Sequence, residues 1–267
     1  MKFFTDEYRL NAFIHHYPKP YIPIINGIAM GGGVGVSSHG SHVIVTENST
    51  IAMPENTIGF IPDVGTTYIL SRSPGNIGLY VGMTGIRMKA ADAIYAGFAT
   101  AFVPADKITN LKQSLAQGQD ADEAIAQYSE EPAPGELERM QEIIDPIFNG
   151  ATALSILETL SDMADKGDDW AQNTHDAMRK MSPLSLACSY ESIKKARRFT
   201  TIEDCLANEY RFASKTLSDH DFYEGIRALI IEKDNKPQWR PATLEELNHD
   251  MIKAKFADLG AAEWTPH

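Results

Sequence analysis

The sequence predicts an α/β fold with a short-stranded front part and an all-helical back part. Three observations lead there. The brief apolar runs "YIPIING", "HVIVTE" and "STIAM", between residues 21 and 53, have strand length and composition. Glycine-rich and proline-bearing loops punctuate them, as in "GIAMGGGVG" and "MPENTIGFIPDVG". Beyond residue 104 every long segment carries helical periodicity.

Taken in order, residues 3 to 17 read as a helix with Phe3, Phe4, Tyr8, Phe13, Ile14 and Tyr17 broadly on one face, ended by "PKP" at 18–20. "YIPIING" is a strand carrying Ile22, Ile24 and Ile25. "GIAMGGGVG" then reads as a loop, with a small-residue helix starting at "VSSHG". Two more strands follow, then helical stretches around 64–71 and 76–84. "MKAADAIYAGFATAFV" is a helix that Gly97 stops before a short strand. "SEEPAPGE" at 129–136 breaks an acidic, alanine-rich stretch and divides the chain into regions 1–130 and 131–267. In the second region Ser182 and Pro183 form an N-cap and N1 pair, and Thr201 with Asp204 opens another helix.

The 267 residues are 43% hydrophobic and 22% charged, enough for a substantial core. With 36 acids against 24 basic residues, the formal charge of −12 repels a nucleic-acid backbone. Cys188 and Cys205 have neither zinc-site spacing nor disulfide density and read as free thiols of a reducing compartment. No apolar run has membrane-spanning length, and Met1 leads directly into "FFTDEYRLNAFIHHY". The expectation is a soluble protein of the cytoplasm, or of an organelle after loss of a presequence. His39 and His42 lack a third ligand at convincing spacing, so no metal is expected. "KKARR" at 194–198 complements a helix C-terminus, with contact to a ligand phosphate as the minority reading.

Two features carry chemistry. In "MPENTIGFIPDVG", Glu55 and Asp63 stand among Met53, Ile58, Phe60, Ile61 and Val64. Buried carboxylates are costly unless paired, hydrogen-bonded or used, which leaves a structural pair and a catalytic pair about equally open. In "AMGGGVGVSSHG", a glycine triplet after a strand bares an N–H that can hold an anion or a developing oxyanion. Val36 excludes the dinucleotide fingerprint, and neither a phosphate loop nor a nucleophile elbow is present. A turn for close helix–strand packing remains the plainer alternative.

The order "KPYIPIING", "GIAMGGGVG", "MPENTIGFIPDVG", "AADAIYAGFATAFV" resembles the crotonase (enoyl-CoA hydratase/isomerase) superfamily of acyl-coenzyme A enzymes. Asp63 eight residues after Glu55, glycine at position 35 and the tail "DHDFYEGIRALIIEKDNKPQWRP" look like its 3-hydroxyisobutyryl-coenzyme A hydrolase family. The resemblance implies a ββα spiral core followed by a helical C-terminal region. It makes Gly32 an oxyanion-hole donor flanked by substrate-binding Gly31 and Gly33, Glu55 and Asp63 the catalytic acids, and Glu7 a partner for a substrate hydroxyl. For Glu7, a solvated helix glutamate is as good a reading of the residue itself.

Hydratases of the superfamily carry a glutamate where Gly35 stands, so thioester hydrolysis is implied over hydration, with a hydratase and a silent scaffold acting through a partner chain as alternatives. Coenzyme A enters as part of the substrate, with no other cofactor. The implied location is the cytoplasm for a bacterial source and the mitochondrial matrix for a eukaryotic one. The segment bearing a second oxyanion donor, of "FCAGGD" type, is not in the sequence, and the core is expected to be N-terminally truncated, exposing a sheet edge suited to homo-oligomer formation. Glu55, Asp63 and the Gly32 N–H are expected to meet at one cleft.

Overall fold

The computed structural model describes residues 1–266. Helix α1 (Lys2–His15) follows the expected span, but its buried stripe is Tyr8, Asn11, Ala12 and Ile14. Phe3, Phe13 and Tyr17 are exposed. The single aromatic face is therefore corrected to two stripes, because positions 3, 10 and 13 recur on one side of a 3.6-residue helix and 4, 8, 11 and 12 on the other, while Tyr17 lies beyond the helix end.

Strand β1 (Ile24–Ile25) is followed by β2 (Ile28–Met30), which lies inside the stretch expected to be loop. The next helix, α2 (Gly32–Gly35), also starts four residues early and ends before "SSHG". Gly31, at φ +53°, makes the sharp turn from β2 into α2 that a Cβ-bearing residue would resist. Strands β3 (Ile44–Val45) and β4 (Thr50–Ala52) sit where expected. After a 3-10 turn at Glu55–Ile58 come α3 (Thr66–Leu70), α4 (Ile77–Thr84), α5 (Ala90–Tyr95) and β5 (Ala101–Phe102). Gly97, at φ +85°, separates the last two.

The strands form two parallel sets, one ordered β1-β3-β5 and the other β2-β4. Ile44 lies opposite Ile24 on one side and Ala101 on the other, while Ala29 pairs with Ile51. Parallel pairing needs long crossovers. The crossover from β2 to β4 contains the glycine turn, and the chain leaving β4 contains Glu55, so both features emerge at the same end of one two-stranded ladder.

The rest is helical: α6 (Ile108–Ala116), α7 (Ala121–Tyr128), α8 (Leu137–Ile147), α9 (Ala153–Ala164), α10 (Asp169–Arg179), α11 (Pro183–Ala196), α12 (Ile202–Thr216), α13 (His220–Ile226) and α14 (His249–Lys255). Side chains of Asp120, Thr152, Asp168, Ser182, Thr201 and Asn248 cap six of them, each accepting from an otherwise orphaned first-turn N–H. The main core draws on both halves of the chain, joining Tyr8, Met53 and Leu70 to Ile144, Ile193 and Leu206. Full burial of such side chains contributes roughly 1.5–3 kcal/mol each. No helix among the described residues is long and apolar enough to cross a membrane.

Candidate active site

Helix α2 opens on Gly32, so the N–H groups of Gly32 and Gly33 have no preceding turn to accept them. The surroundings of this turn are acidic. A Cβ added to Gly32 would stand 2.8 Å from Glu7 Oε1, and one added to Gly31 would stand 3.3 Å from Glu55 Oε1. Glu7 on α1 and Glu55 on the 3-10 turn therefore flank the same glycine turn. Gly33 has more room, its nearest neighbour being Ala29 Cβ at 3.9 Å.

Glu55 is 7% exposed and its Oε2 has no hydrogen-bond partner among the described residues. Burial, reinforced by the nearby charge of Asp63, holds its proton affinity well above the usual carboxylate range. Its turn is fixed from below by Asn56, whose Nδ2 donates to the Gly82 carbonyl at 2.9 Å and whose Oδ1 accepts from Ser189 Oγ at 2.7 Å. Gly59, at φ +71°, closes the turn beneath α13: a Cβ there would lie 2.5 Å from the Asp221 carbonyl. A Cβ at Gly225 would likewise meet Ile58 at 2.5 Å. The "HDFYEG" tail motif is thus the floor under the Glu55 turn.

Asp63 is 6% exposed, and the Tyr8 hydroxyl donates to its Oδ2 at 2.7 Å. Burial pushes its carboxyl up to about 7, with Glu7 adding to the rise and the Tyr8 hydrogen bond opposing it. Glu7 itself is raised by burial, which departs from the solvated-helix reading. The residue after Asp63 is Val64, at φ +54°, an uncommon conformation for a β-branched residue. Two side chains brace it. His39 Nε2–H donates to the Val64 carbonyl at 2.7 Å, and Glu209 of α12 accepts from Gly65 N at 2.7 Å and Thr67 N at 3.1 Å. His39 is neutral, burial lowering it to about 4.

Position 35 is closed. A Cβ on Gly35 would meet Val64 Cβ at 2.7 Å and Asn11 Nδ2 at 2.8 Å. No side chain fits there without displacing the strained valine beside Asp63.

Glu7, Gly31, Gly32 and Glu55 meet at the glycine turn, with Asp63 within electrostatic reach of Glu7 and Glu55. His42 instead contacts Asp122 and Ser41 at the surface. The described residues contain no group of three or more His, Cys, Asp or Glu side chains arranged to hold a metal. Sequence reasoning missed Tyr8 and Glu209 as site residues. The one available signal was Glu209 itself, an acid in the buried stripe Ile202, Cys205, Leu206, Glu209, Phe212, Ala213 and Thr216. A cavity of about 550 Å³ lies beyond His39, against His15, Tyr68 and Arg72, and none of the predicted catalytic residues lines it.

The family model described as enoyl-CoA hydratase/isomerase matches residues 1–256. The mitochondrial 3-hydroxyisobutyryl-CoA hydrolase of Xenopus laevis is 38% identical over 98% of this chain and 69% of its own length. For 3-hydroxyisobutyryl-CoA hydrolase 1 of Arabidopsis thaliana the identity is 38%, over 95% of this chain and 70% of the relative. Two solved structures share the fold closely. A carnitinyl-CoA dehydratase from Mycobacterium thermoresistibile gives a TM-score of 0.93 at 42% identity, covering 99% of this chain and 75% of that one. An enoyl-CoA hydratase from Rhodobacter sphaeroides 2.4.1 gives 0.91 at 39%, covering 99% and 76%.

Proposed function

Since the chain belongs to the enoyl-CoA hydratase/isomerase family, in the branch of the 3-hydroxyisobutyryl-CoA hydrolases, we propose that it hydrolyses an acyl-CoA thioester, taking 3-hydroxyisobutyryl-CoA to 3-hydroxyisobutyrate and coenzyme A. This is a step of valine breakdown. The animal relative is named mitochondrial, which supports the mitochondrial matrix for a eukaryotic source. The substrate carries the coenzyme A, and no further cofactor enters the reaction.

The chemistry follows from the three groups at the glycine turn. The Gly32 N–H polarises the thioester carbonyl and stabilises the oxyanion that forms when its carbon becomes tetrahedral. Gly31 and Gly33 let the acyl group approach the backbone. With one proton held by the pair, Glu55 in its ionised form acts on that carbon, either through the water it deprotonates or by direct attack to give an acyl–Glu55 anhydride that water then hydrolyses. Collapse of the tetrahedral species breaks the carbon–sulfur bond, and Asp63 gives its proton to the departing thiolate. Water thus supplies the hydroxyl of the acid and the proton that restores the pair. A carboxyl near 7 is still a competent donor at neutral pH, where an ordinary aspartate has lost its proton. Glu7 accepts from the 3-hydroxyl of the acyl group.

The two solved relatives are named for hydration and dehydration, and one observation favours hydrolysis over that reading. The family resemblance puts Gly35 where hydratases carry their second glutamate, and the packing of Val64 and Asn11 leaves no space for one. The discriminating experiment measures free thiol released from 3-hydroxyisobutyryl-CoA against hydration of crotonyl-CoA. Thiol release should dominate; faster hydration would reverse the assignment.

A further inference from the structure

Asp63 is held in place from two directions by groups far away in sequence, and the second of these has no part in the reaction as described above. Glu209 is fully buried at the centre of α12. Its two carboxylate oxygens take three donors, all from the residues that follow Asp63: Gly65 N–H at 2.7 Å, Thr67 N–H at 3.1 Å and the Thr67 hydroxyl at 2.5 Å. Those donors are the first turn of α3, whose N-cap Gly65 receives no side-chain cap from its own segment. A carboxylate from the C-terminal half does the capping instead.

The backbone it grips is strained. Val64 and Gly65 have successive positive φ values, +54° and +79°. His39 holds the Val64 carbonyl and Glu209 holds the Gly65 N–H, so the bend is clamped on both sides. Such conformations persist only where the surroundings over-determine them. Thr66 N and Oγ1 both donate back to the Asp63 carbonyl, which transmits the position of α3 to Asp63 itself.

Resting on the hydrolase reading above, we propose that Glu209 is a positioning residue that clamps the Asp63–Thr67 bend and so sets where Asp63 delivers its proton to the leaving thiolate. The titratable groups facing it are Asp63 from the bend, Tyr8 from α1, Glu55 from the 3-10 turn and Cys205 one turn back on α12. Burial raises Glu209 itself to about 8, with its donors opposing the rise and Asp63 adding to it. With its proton affinity above that of Asp63, Glu209 acts on Asp63 through the bend it grips. The C-terminal helices thereby reach the chemistry through one side chain.

Glu209→Gln keeps one acceptor oxygen, removes the charge and turns an amide N–H toward a backbone donor. It should lower kcat roughly 10- to 100-fold with little change in KM, as expected for misplacement of a reacting group by about 1 Å. The alkaline limb of kcat/KM, where Asp63 loses its proton, should move down by about one pH unit, because a released bend lets water reach the carboxyl and lessens the burial that raises it. Infrared titration of the Asp63 carboxyl, identified by its absence in Asp63→Asn, should show the same downward move without any substrate. Thr67→Val, nearly isosteric, should shift that midpoint in the same direction by less, and serves if Glu209→Gln does not fold. An unchanged Asp63 midpoint in the folded variant, with melting temperature alone reduced, overturns the proposal. A shifted midpoint together with absent thiol release in the wild type upholds the clamp and removes the hydrolase reading.

Discussion

The Tyr8 hydroxyl donates to Asp63 Oδ2 at 2.7 Å, tying α1 to a loop 55 residues further along the chain. Tyr8 is itself fully buried and packs edge-on to Tyr210 at 6.2 Å between ring centroids. One phenol thus joins the N-terminal helix, the acid-bearing loop and α12.

That hydrogen bond favours the ionised form of Asp63, so its loss raises the proton affinity further. The kcat/KM of the wild type should fall as pH rises through about 7, where Asp63 loses the proton it donates. In Tyr8→Phe this limb should move to higher pH, and the fold should lose about 1–3 kcal/mol from an unpaired buried acceptor. A pH–rate profile with a limb that stays in place would show that Asp63 is not the donor.

Glu55→Gln and Asp63→Asn should each reduce thiol release by about 100-fold or more, because positioned acid–base groups commonly contribute that much. Both variants keep the side-chain shape, and circular dichroism should confirm an unchanged fold. Wild-type rates in both would return the pair to a structural role.

Asp63→Asn should also stabilise the protein in alkali. The folded carboxyl, at about 7, lies above the unfolded value of 3.8. Between these values the unfolded chain has released a proton that the folded chain retains, so stability falls as pH rises and the full penalty stands above about 7. Asparagine carries no such penalty. The gain in melting temperature over wild type should therefore be small near pH 4, grow toward pH 7 and level off beyond. A gain that is constant across that window would contradict the burial of the charge.

Installing the hydratase glutamate should fail. Gly35→Glu would force a side chain into Val64 and Asn11, costing roughly 1–3 kcal/mol from overpacking before the burial of its charge is counted. Thermal melting should drop, and crotonyl-CoA hydration should not appear. A stable Gly35→Glu protein that hydrates crotonyl-CoA would mean that the loop at Val64 yields.

The sequence by itself determined the local features. Strand runs, helix caps at Ser182 and Thr201, the stop at Gly97 and the glycine-then-acid order all depend on neighbours within a few residues, and such signals survive in one dimension. It also marked Glu55 and Asp63, since ionisable groups in an apolar stretch stand out without coordinates. Which face of α1 is buried was decided only by packing, because two apolar stripes compete and the strength of each depends on what lies opposite. The helix start at Gly32 depended on the turn that Gly31 makes and on β2 pairing with β4, contacts made across the crossover. Tyr8, His39 and Glu209 acquired their roles through hydrogen bonds spanning 25 to 144 residues. Tyr8 and His39 are ordinary members of their own segments, and only Glu209 stands out, as an acid in a buried stripe. Only the tertiary fold, which takes these polar groups out of water and leaves the strained bend at Val64 as their partner, makes them part of the site.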